Sequence, residues 1–156
     1  MERMLKRLIP VLLALLLLAG CGKSAAAAPD LEAVYERIAA EAELPEMIRL
    51  SEKRMDSFYG IDAAACPQAI VAVSDDGLRV DEVWLLEAAD EKAAEALLAL
   101  AQSRIAQICA ETENYLPDQY AVAQGAEALR IGSCVGLFVS PDAQRMAEIF
   151  RQSFAG

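Results

Sequence analysis

The 156-residue chain contains no histidine. This absence removes the commonest general base, the commonest metal ligand and every catalytic dyad in which histidine activates serine or cysteine. The chain also lacks the two glycine-rich phosphate-loop patterns, G-x-G-x-x-G and G-x-x-x-x-G-K-[ST], and it has no CxxC or zinc-type cysteine spacing. The sequence therefore predicts no cofactor and no metal site, and it argues against an enzyme.

Basic residues are scarce relative to acidic ones. The whole chain has 14 lysines and arginines against 24 aspartates and glutamates. Three of the bases and one of the acids lie in the first 20 residues, so the remainder carries 11 bases and 23 acids, a net charge of −12. Nucleic acids and anionic lipid surfaces both attract basic proteins. The charge balance thus argues against nucleic acid as a partner and against electrostatic docking on a membrane.

The N-terminus has the three-part composition of a secretory signal. A basic segment, Met1–Arg7, precedes the apolar segment Leu8–Gly20, which as a helix spans only about 20 Å of the ~30 Å hydrocarbon core. The apolar segment ends in Leu18-Ala19-Gly20-Cys21, which looks like the lipobox of bacterial lipoproteins. We therefore predict a signal peptide at residues 1–20 and acyl chains on Cys21 that anchor the chain to the extracytoplasmic face of the cell membrane. The weaker alternatives are an ordinary secretory signal followed by a chance cysteine and an uncleaved membrane anchor.

Behind the predicted lipidation site the chain divides into a tether and one domain. Residues 21–29 contain an alanine run that ends at Pro29, which favours a break between elements, although alanine also suits the first turn of a helix. Residues 30–156 are long enough to bury a core without disulfides. Of the cysteines in this domain, Cys66, Cys109 and Cys134, at most two can pair internally. Buried or unpaired thiols are the simpler prediction, and Cys109 with Cys134 is the most plausible bridge.

Hydrophobic periodicity, capping residues and turn residues predict the element order α-α-β-β-α-β-β-α. The predicted helices are Leu31–Leu44, Ser51–Tyr59, Glu91–Thr112 and a closing helix after Ser140-Pro141-Asp142. The predicted strands form two hairpins, Ala69–Ser74 with Glu82–Ala88 and Glu127–Ile131 with Cys134–Val139. The polar segment Tyr115–Gly125 is predicted to be irregular. We expect an α+β fold in which one antiparallel sheet is covered on one face by helices.

Few side chains suggest a binding site. Tyr115 and Tyr120 lie in the segment predicted to be irregular, and aromatic residues on a loop over a rigid sheet can contact a partner. Packing of that loop onto the sheet is the simpler alternative role for both. The single tryptophan, Trp84, is predicted to pack in the core. Four acidic residues near the first hairpin lack the alternating spacing of a calcium loop and are interpreted as turn and strand-start residues: Asp75, Asp76, Asp81 and Glu82.

Three segments together resemble a known family. They are Phe58-Tyr59-Gly60-Ile61-Asp62, Tyr115-Leu116-Pro117-Asp118-Gln119-Tyr120, and the final hairpin with Ser140-Pro141-Asp142-Ala143. The combination resembles the bacterial lipoproteins catalogued as domain of unknown function 4358, over roughly residues 30–154. The resemblance implies a lipoprotein on the outer face of the plasma membrane. It supplies no catalytic residue and no ligand.

These observations lead to one leading hypothesis and two alternatives. The leading hypothesis is a non-catalytic, lipid-anchored domain that binds a protein, cell-wall or small-molecule partner outside the membrane. The first alternative is an extracytoplasmic enzyme that uses carboxylates or a thiol. The second is a subunit or regulator of a complex in the cell envelope.

Overall fold

The computed structural model describes residues 27–155. The predicted signal peptide, the lipidation site at Cys21 and the tether as far as residue 26 lie outside the described residues. Within the described part, no helix combines the length and the apolar character needed to cross a membrane.

The described residues form five α-helices and five β-strands. The helices are α1 (Leu31–Glu41), α2 (Glu52–Tyr59), α3 (Glu91–Thr112), α4 (Pro117–Gln124) and α5 (Ala143–Gln152), with a short 3₁₀-helix at Ala63–Ala65. The strands are β1 (Met47–Arg49), β2 (Gln68–Ser74), β3 (Glu82–Glu87), β4 (Glu127–Ile131) and β5 (Cys134–Val139).

Local side-chain chemistry sets the ends of the main helices. The Asp30 carboxylate accepts the Glu32 amide at 3.0 Å and caps α1, and the Asp90 carboxylate accepts the Ala93 amide at 2.7 Å and caps α3. Helix α2 ends at Gly60, which has the left-handed φ of 67° that glycine adopts without strain. The predicted bounds of α3 are confirmed, whereas α1 ends three residues earlier than predicted.

The strands form one antiparallel sheet in the order β1-β2-β3-β5-β4. Both predicted hairpins are present, and the register predicted for the second is confirmed, with Ile131 opposite Cys134 and Leu129 opposite Gly136. Strand β1 was not predicted. It has only three residues, too few for a hydrophobic alternation to stand out.

Helices cover both faces of the sheet, so the expectation of one covered face was wrong. Helices α1 and α5 pack on one face, and α2, α3 and α4 pack on the other. The central strand β3 contributes to both cores because side chains alternate between the faces of a strand. Val83 and Leu85 join the first core while Trp84 and Leu86 join the second, and all four are 0% exposed.

The segment Tyr115–Gly125 also departs from the prediction, because most of it is helix α4. Pro117 was interpreted as a sign of irregular chain, but it occupies the first turn of the helix, where its missing N–H costs nothing. The closing helix α5 begins at Ala143, slightly later than its Ser140-Pro141 signal suggested. The Ser140 hydroxyl accepts the Asp142 amide at 3.1 Å in the turn that leads into it.

Candidate functional site

A cleft of about 380 Å³ opens beside the end of the sheet where β2 stops and β3 starts, on the face covered by α3. This β2–β3 cleft is lined by the end of β2, the start of β3 and the loop between them, by Leu50 and the end of α2, by the second half of α3, and by the residue before α4. Its lining includes Phe58, Tyr59, Asp76, Arg79, Asp81, Glu82, Arg104, Glu111 and Leu116.

An ion pair between Glu82 and Arg104 forms the floor of the cleft. The Arg104 Nη2 atom lies 2.9 Å from Glu82 Oε2, and Arg104 Nε lies 3.2 and 3.1 Å from the two carboxylate oxygens. The Glu82 side chain is 2% exposed and that of Arg104 is 19% exposed. The indole N–H of Trp84 also donates to Glu82 Oε1 at 2.7 Å. The buried carboxylate is thus satisfied by two side chains from different elements.

Tyr59 connects the ion pair to the aromatic part of the core. Its ring lies 5.1 Å from the centre of the Trp84 ring, and the Arg104 guanidinium carbon lies 5.1 Å from the centre of the Tyr59 ring. Burial, and then the nearby charge of Glu82, raises the pKa of Tyr59 to about 12. Tyr59 therefore stays a neutral phenol at physiological pH.

The loop between β2 and β3 forms one wall of the cleft and is tied down by specific contacts. Arg79 Nε lies 2.9 Å from Asp81 Oδ2, and the Asp81 side chain is 1% exposed. The Val80 amide donates to Gln119 Oε1 at 3.0 Å, which joins the loop to α4. The Leu78 amide donates to Asp76 Oδ1 at 2.9 Å and closes a local turn. These contacts hold the loop against the helices.

Exposed apolar side chains gather around the cleft. Phe58, 67% exposed, lines the cleft itself. Leu78 (70%) and Tyr115 (83%) line an adjoining depression of about 180 Å³, which shares Leu116 with the cleft. Among the described residues, the only other large apolar side chain of this kind is Ile48, 39% exposed. Clustered exposed apolar groups next to a concave surface are typical of binding sites.

The structure separates the two tyrosines that were predicted to form a binding surface. Tyr115 lies at the rim, in the turn between α3 and α4, and is exposed. Tyr120 is half-buried within α4 and lines neither the cleft nor the depression. A binding role for either residue stays a prediction, but only Tyr115 is next to the cleft. Trp84 is fully buried, as predicted.

Sequence reasoning missed Arg104 and assigned Glu82 to a solvated strand start. A signal for Arg104 was present, because it lies three residues after the buried Ala101 and four before the buried Ile108. A charged residue on the buried stripe of a helix requires a partner. The interpretation of Asp76 as a turn residue is confirmed. No group of three or more side chains suited to hold a metal ion occurs within residues 27–155.

Cys66, Cys109 and Cys134 are all free, which confirms the simpler prediction of unpaired thiols and excludes the alternative bridge between Cys109 and Cys134. Cys134 belongs to the core under α1 and α5, whereas Cys109 packs against the core under α2, α3 and α4. The sheet therefore lies between them, which no disulfide can span. Predicting that both residues face a core was correct, but they face different cores.

The chain was compared with known proteins. The family model described as "Domain of unknown function (DUF4358)" matches residues 40–140, and every residue lining the β2–β3 cleft lies within this range. No curated protein and no solved structure matches the chain. Because the match covers more than half of the 156 residues, the chain belongs to the DUF4358 family.

Proposed function

We propose that the chain is a lipid-anchored lipoprotein of the extracytoplasmic membrane face, whose domain binds a partner through the β2–β3 cleft without catalysing a reaction. The observation that carries the binding role is the cleft itself. It combines a floor in which Glu82 and Arg104 form an ion pair with the exposed Phe58 in its lining and the exposed Leu78 and Tyr115 in the adjoining depression.

The anchor rests on the sequence Leu18-Ala19-Gly20-Cys21 behind a basic and an apolar segment. Cells that express the chain are labelled with tritiated palmitate, and the protein is purified and tested for radioactivity. The intact chain should be labelled and shortened by its signal peptide. Replacing Cys21 with Ala should abolish labelling and leave the longer precursor. Normal labelling of that variant would contradict the anchor, while Cys66→Ala serves as the matched control and should be labelled normally.

Binding is supported by the way the cleft is constructed. Arg104 and Tyr59 are held in place by Glu82 and Trp84, so a partner does not have to order these side chains on docking. Phe58, Leu78 and Tyr115 offer apolar contact area that the fold itself does not use. Aromatic and arginine side chains that a partner desolvates in a pocket are typical hot spots of binding.

The catalytic alternative receives little support from the chemistry of the described side chains. Burial, and then the charge of Asp62, raises the pKa of the Cys66 thiol, which disfavours the reactive thiolate. Burial, and then the charge of Glu87, raises the pKa of Cys134 to about 11. In the cleft, the Glu82 and Asp81 carboxylates each accept hydrogen bonds from an arginine and are unsuited to act as general bases.

The binding role can be tested by crosslinking in living cells. A photoreactive phenylalanine analogue replaces Phe58, at the cleft, or Glu36, which is exposed on α1 at the opposite face of the sheet. A partner that docks in the cleft should be captured from position 58 and not from position 36. Equal capture from both positions, or capture from neither, would contradict the proposed binding site. Covalent products are identified by mass spectrometry, which also locates the captured segment.

A further inference from the structure

We infer that the β2–β3 cleft accepts a cationic and apolar segment of a partner polypeptide on the side of the domain away from its membrane attachment. This inference rests on the proposed function and adds the chemistry of the partner. It depends on three features of the domain: where the chain enters, which charges in the cleft are left unpaired, and how the apolar groups are arranged.

The chain enters the domain at the end of the sheet opposite the cleft. The Gln68 side chain accepts the Leu31 amide at 2.9 Å and donates to the Pro29 carbonyl at 3.0 Å, so it clamps the start of the domain to the first residue of β2. Strand β2 then runs to Ser74, which lines the cleft. Six residue steps at about 3.3 Å place the two ends about 20 Å apart. The point where the chain enters the domain is therefore at the end of the sheet opposite the cleft.

Charge in the cleft favours a cationic partner. Arg79 and Arg104 are already neutralised by Asp81 and Glu82. The cleft also contains the exposed carboxylates of Asp76 and Glu111, for which no ion pair occurs among the described residues.

The cleft lining therefore has an excess of two negative charges. Tipping the domain so that the cleft meets the bilayer would bring these carboxylates against anionic head groups, which disfavours lipid as the occupant.

The apolar groups favour a polypeptide over a glycan. Phe58 borders the cleft, and Leu78 and Tyr115 border the adjoining depression, which shares Leu116 with the cleft. A polypeptide segment carries basic and apolar side chains on one chain, so it can meet the carboxylates and the apolar groups of this surface together. A neutral glycan offers no cation and no apolar side chain of comparable size.

The inference is tested by calorimetric titration of the full chain in a non-ionic detergent, with the heat of titrating detergent alone subtracted. The probes are acetyl-Lys-Leu-Lys-Leu-amide and two analogues in which both lysines are replaced by serine or by glutamate. We expect the lysine peptide to bind at least tenfold more tightly than the serine peptide, with the glutamate peptide weakest. Equal binding of the three peptides, or no saturable binding of the lysine peptide, would overturn the inference.

Two double variants with the same change in net charge locate the binding site. Asp76→Asn with Glu111→Gln should weaken binding of the lysine peptide about threefold or more, because two exposed charge contacts are lost. Glu36→Gln with Glu95→Gln alters exposed carboxylates outside the cleft and should change the affinity less than twofold. An equal loss in both variants would mean that only the overall charge attracts the peptide and would also overturn the inference.

The inference and the proposed function can fail separately. If crosslinking from position 58 captures a partner through a neutral or acidic segment and the lysine peptide does not bind, the cleft binds a partner of a different chemistry. If position 58 captures nothing, the binding role itself is wrong.

Discussion

Replacing Arg104 with methionine removes one side of the buried ion pair and keeps most of the side-chain volume. The Glu82 carboxylate, 2% exposed, would then keep a single side-chain donor, the Trp84 indole at 2.7 Å. Breaking a buried pair by removing one partner typically costs about 3–5 kcal/mol. Since the Arg104 side chain is 19% exposed, water can partly replace it, and we expect a loss near the lower end, about 3 kcal/mol of unfolding free energy.

The double variant Glu82→Gln/Arg104→Met separates the charge effect from the packing effect. With both charges gone, no buried ion lacks a counterion, and the glutamine oxygen can still accept the Trp84 N–H. We therefore expect the double variant to be more stable than Arg104→Met alone by about 1–2 kcal/mol. The structure thus predicts that the loss of unfolding free energy in the double variant is smaller than the sum of the losses in the two single variants.

Urea unfolding of the full chain in detergent, followed by the emission of the only tryptophan, measures these free energies. The matched control is Arg49→Met, which breaks the pair with Glu32, where the two side chains are 44% and 50% exposed. That pair should contribute below about 1 kcal/mol. The reasoning is refuted if Arg104→Met lowers the unfolding free energy no more than Arg49→Met does. It is also refuted if the loss in the double variant equals the sum of the losses in Arg104→Met and Glu82→Gln measured separately.

Three further predictions concern packing, thiols and pH. Gly136→Ala should lower the unfolding free energy measured in urea by about 1–3 kcal/mol, because an added Cβ would lie 2.8 Å from the buried Phe138 ring. The control Gly77→Ala should change it by less than about 0.5 kcal/mol, because no atom lies within 4 Å of its added Cβ. Cys134 should react with iodoacetamide only after the protein unfolds, whereas Cys66 should react slowly in the folded protein. Adducts are located by mass spectrometry, and an adduct on Cys134 of the folded protein would contradict its burial. The pKa of Tyr59 is about 12 in the folded protein and 10.0 ordinarily, so its neutral phenol stabilises the fold fully below pH 10. This contribution to the unfolding free energy should be lost as the pH rises from 10 to 12. In Tyr59→Phe the unfolding free energy should fall less over the same pH range.

The elements that local chemistry defines were predictable from the sequence. Asp90 followed by a long apolar stripe gave the bounds of α3, and the Gly132-Ser133 pair gave the register of the second hairpin. Helix α4 was missed because Pro117 has two opposite meanings. Proline disrupts a helix when it lies in the interior and favours a helix when it lies in the first turn. Residue propensity alone does not show which of these two positions Pro117 occupies.

The sequence of β3 indicates that both faces of the sheet are buried. Val83 to Leu86 is an unbroken apolar run, and a strand buried on one face alternates instead. That run predicts helices on both faces of the sheet. It does not by itself separate Cys109 from Cys134, because Cys109 lies in α3 and the run does not show which face α3 covers. The cleft could not be predicted in the same way. Glu82 and Arg104 are 22 residues apart and meet only because α3 crosses the sheet at that point.

The buried ion pair is better understood as a device that fixes the cleft than as a source of stability. Removing two charges from water costs several kcal/mol per ion, and their attraction does little more than offset it. The ion pair instead fixes the position of a side chain, because Glu82 holds the Arg104 guanidinium beside the Tyr59 ring. The two sets of variants should therefore behave differently. Arg104→Met should reduce stability, because it leaves the buried Glu82 carboxylate without its cation. Asp76→Asn with Glu111→Gln should instead reduce peptide affinity and leave stability nearly unchanged, since neither carboxylate has an ion pair among the described residues.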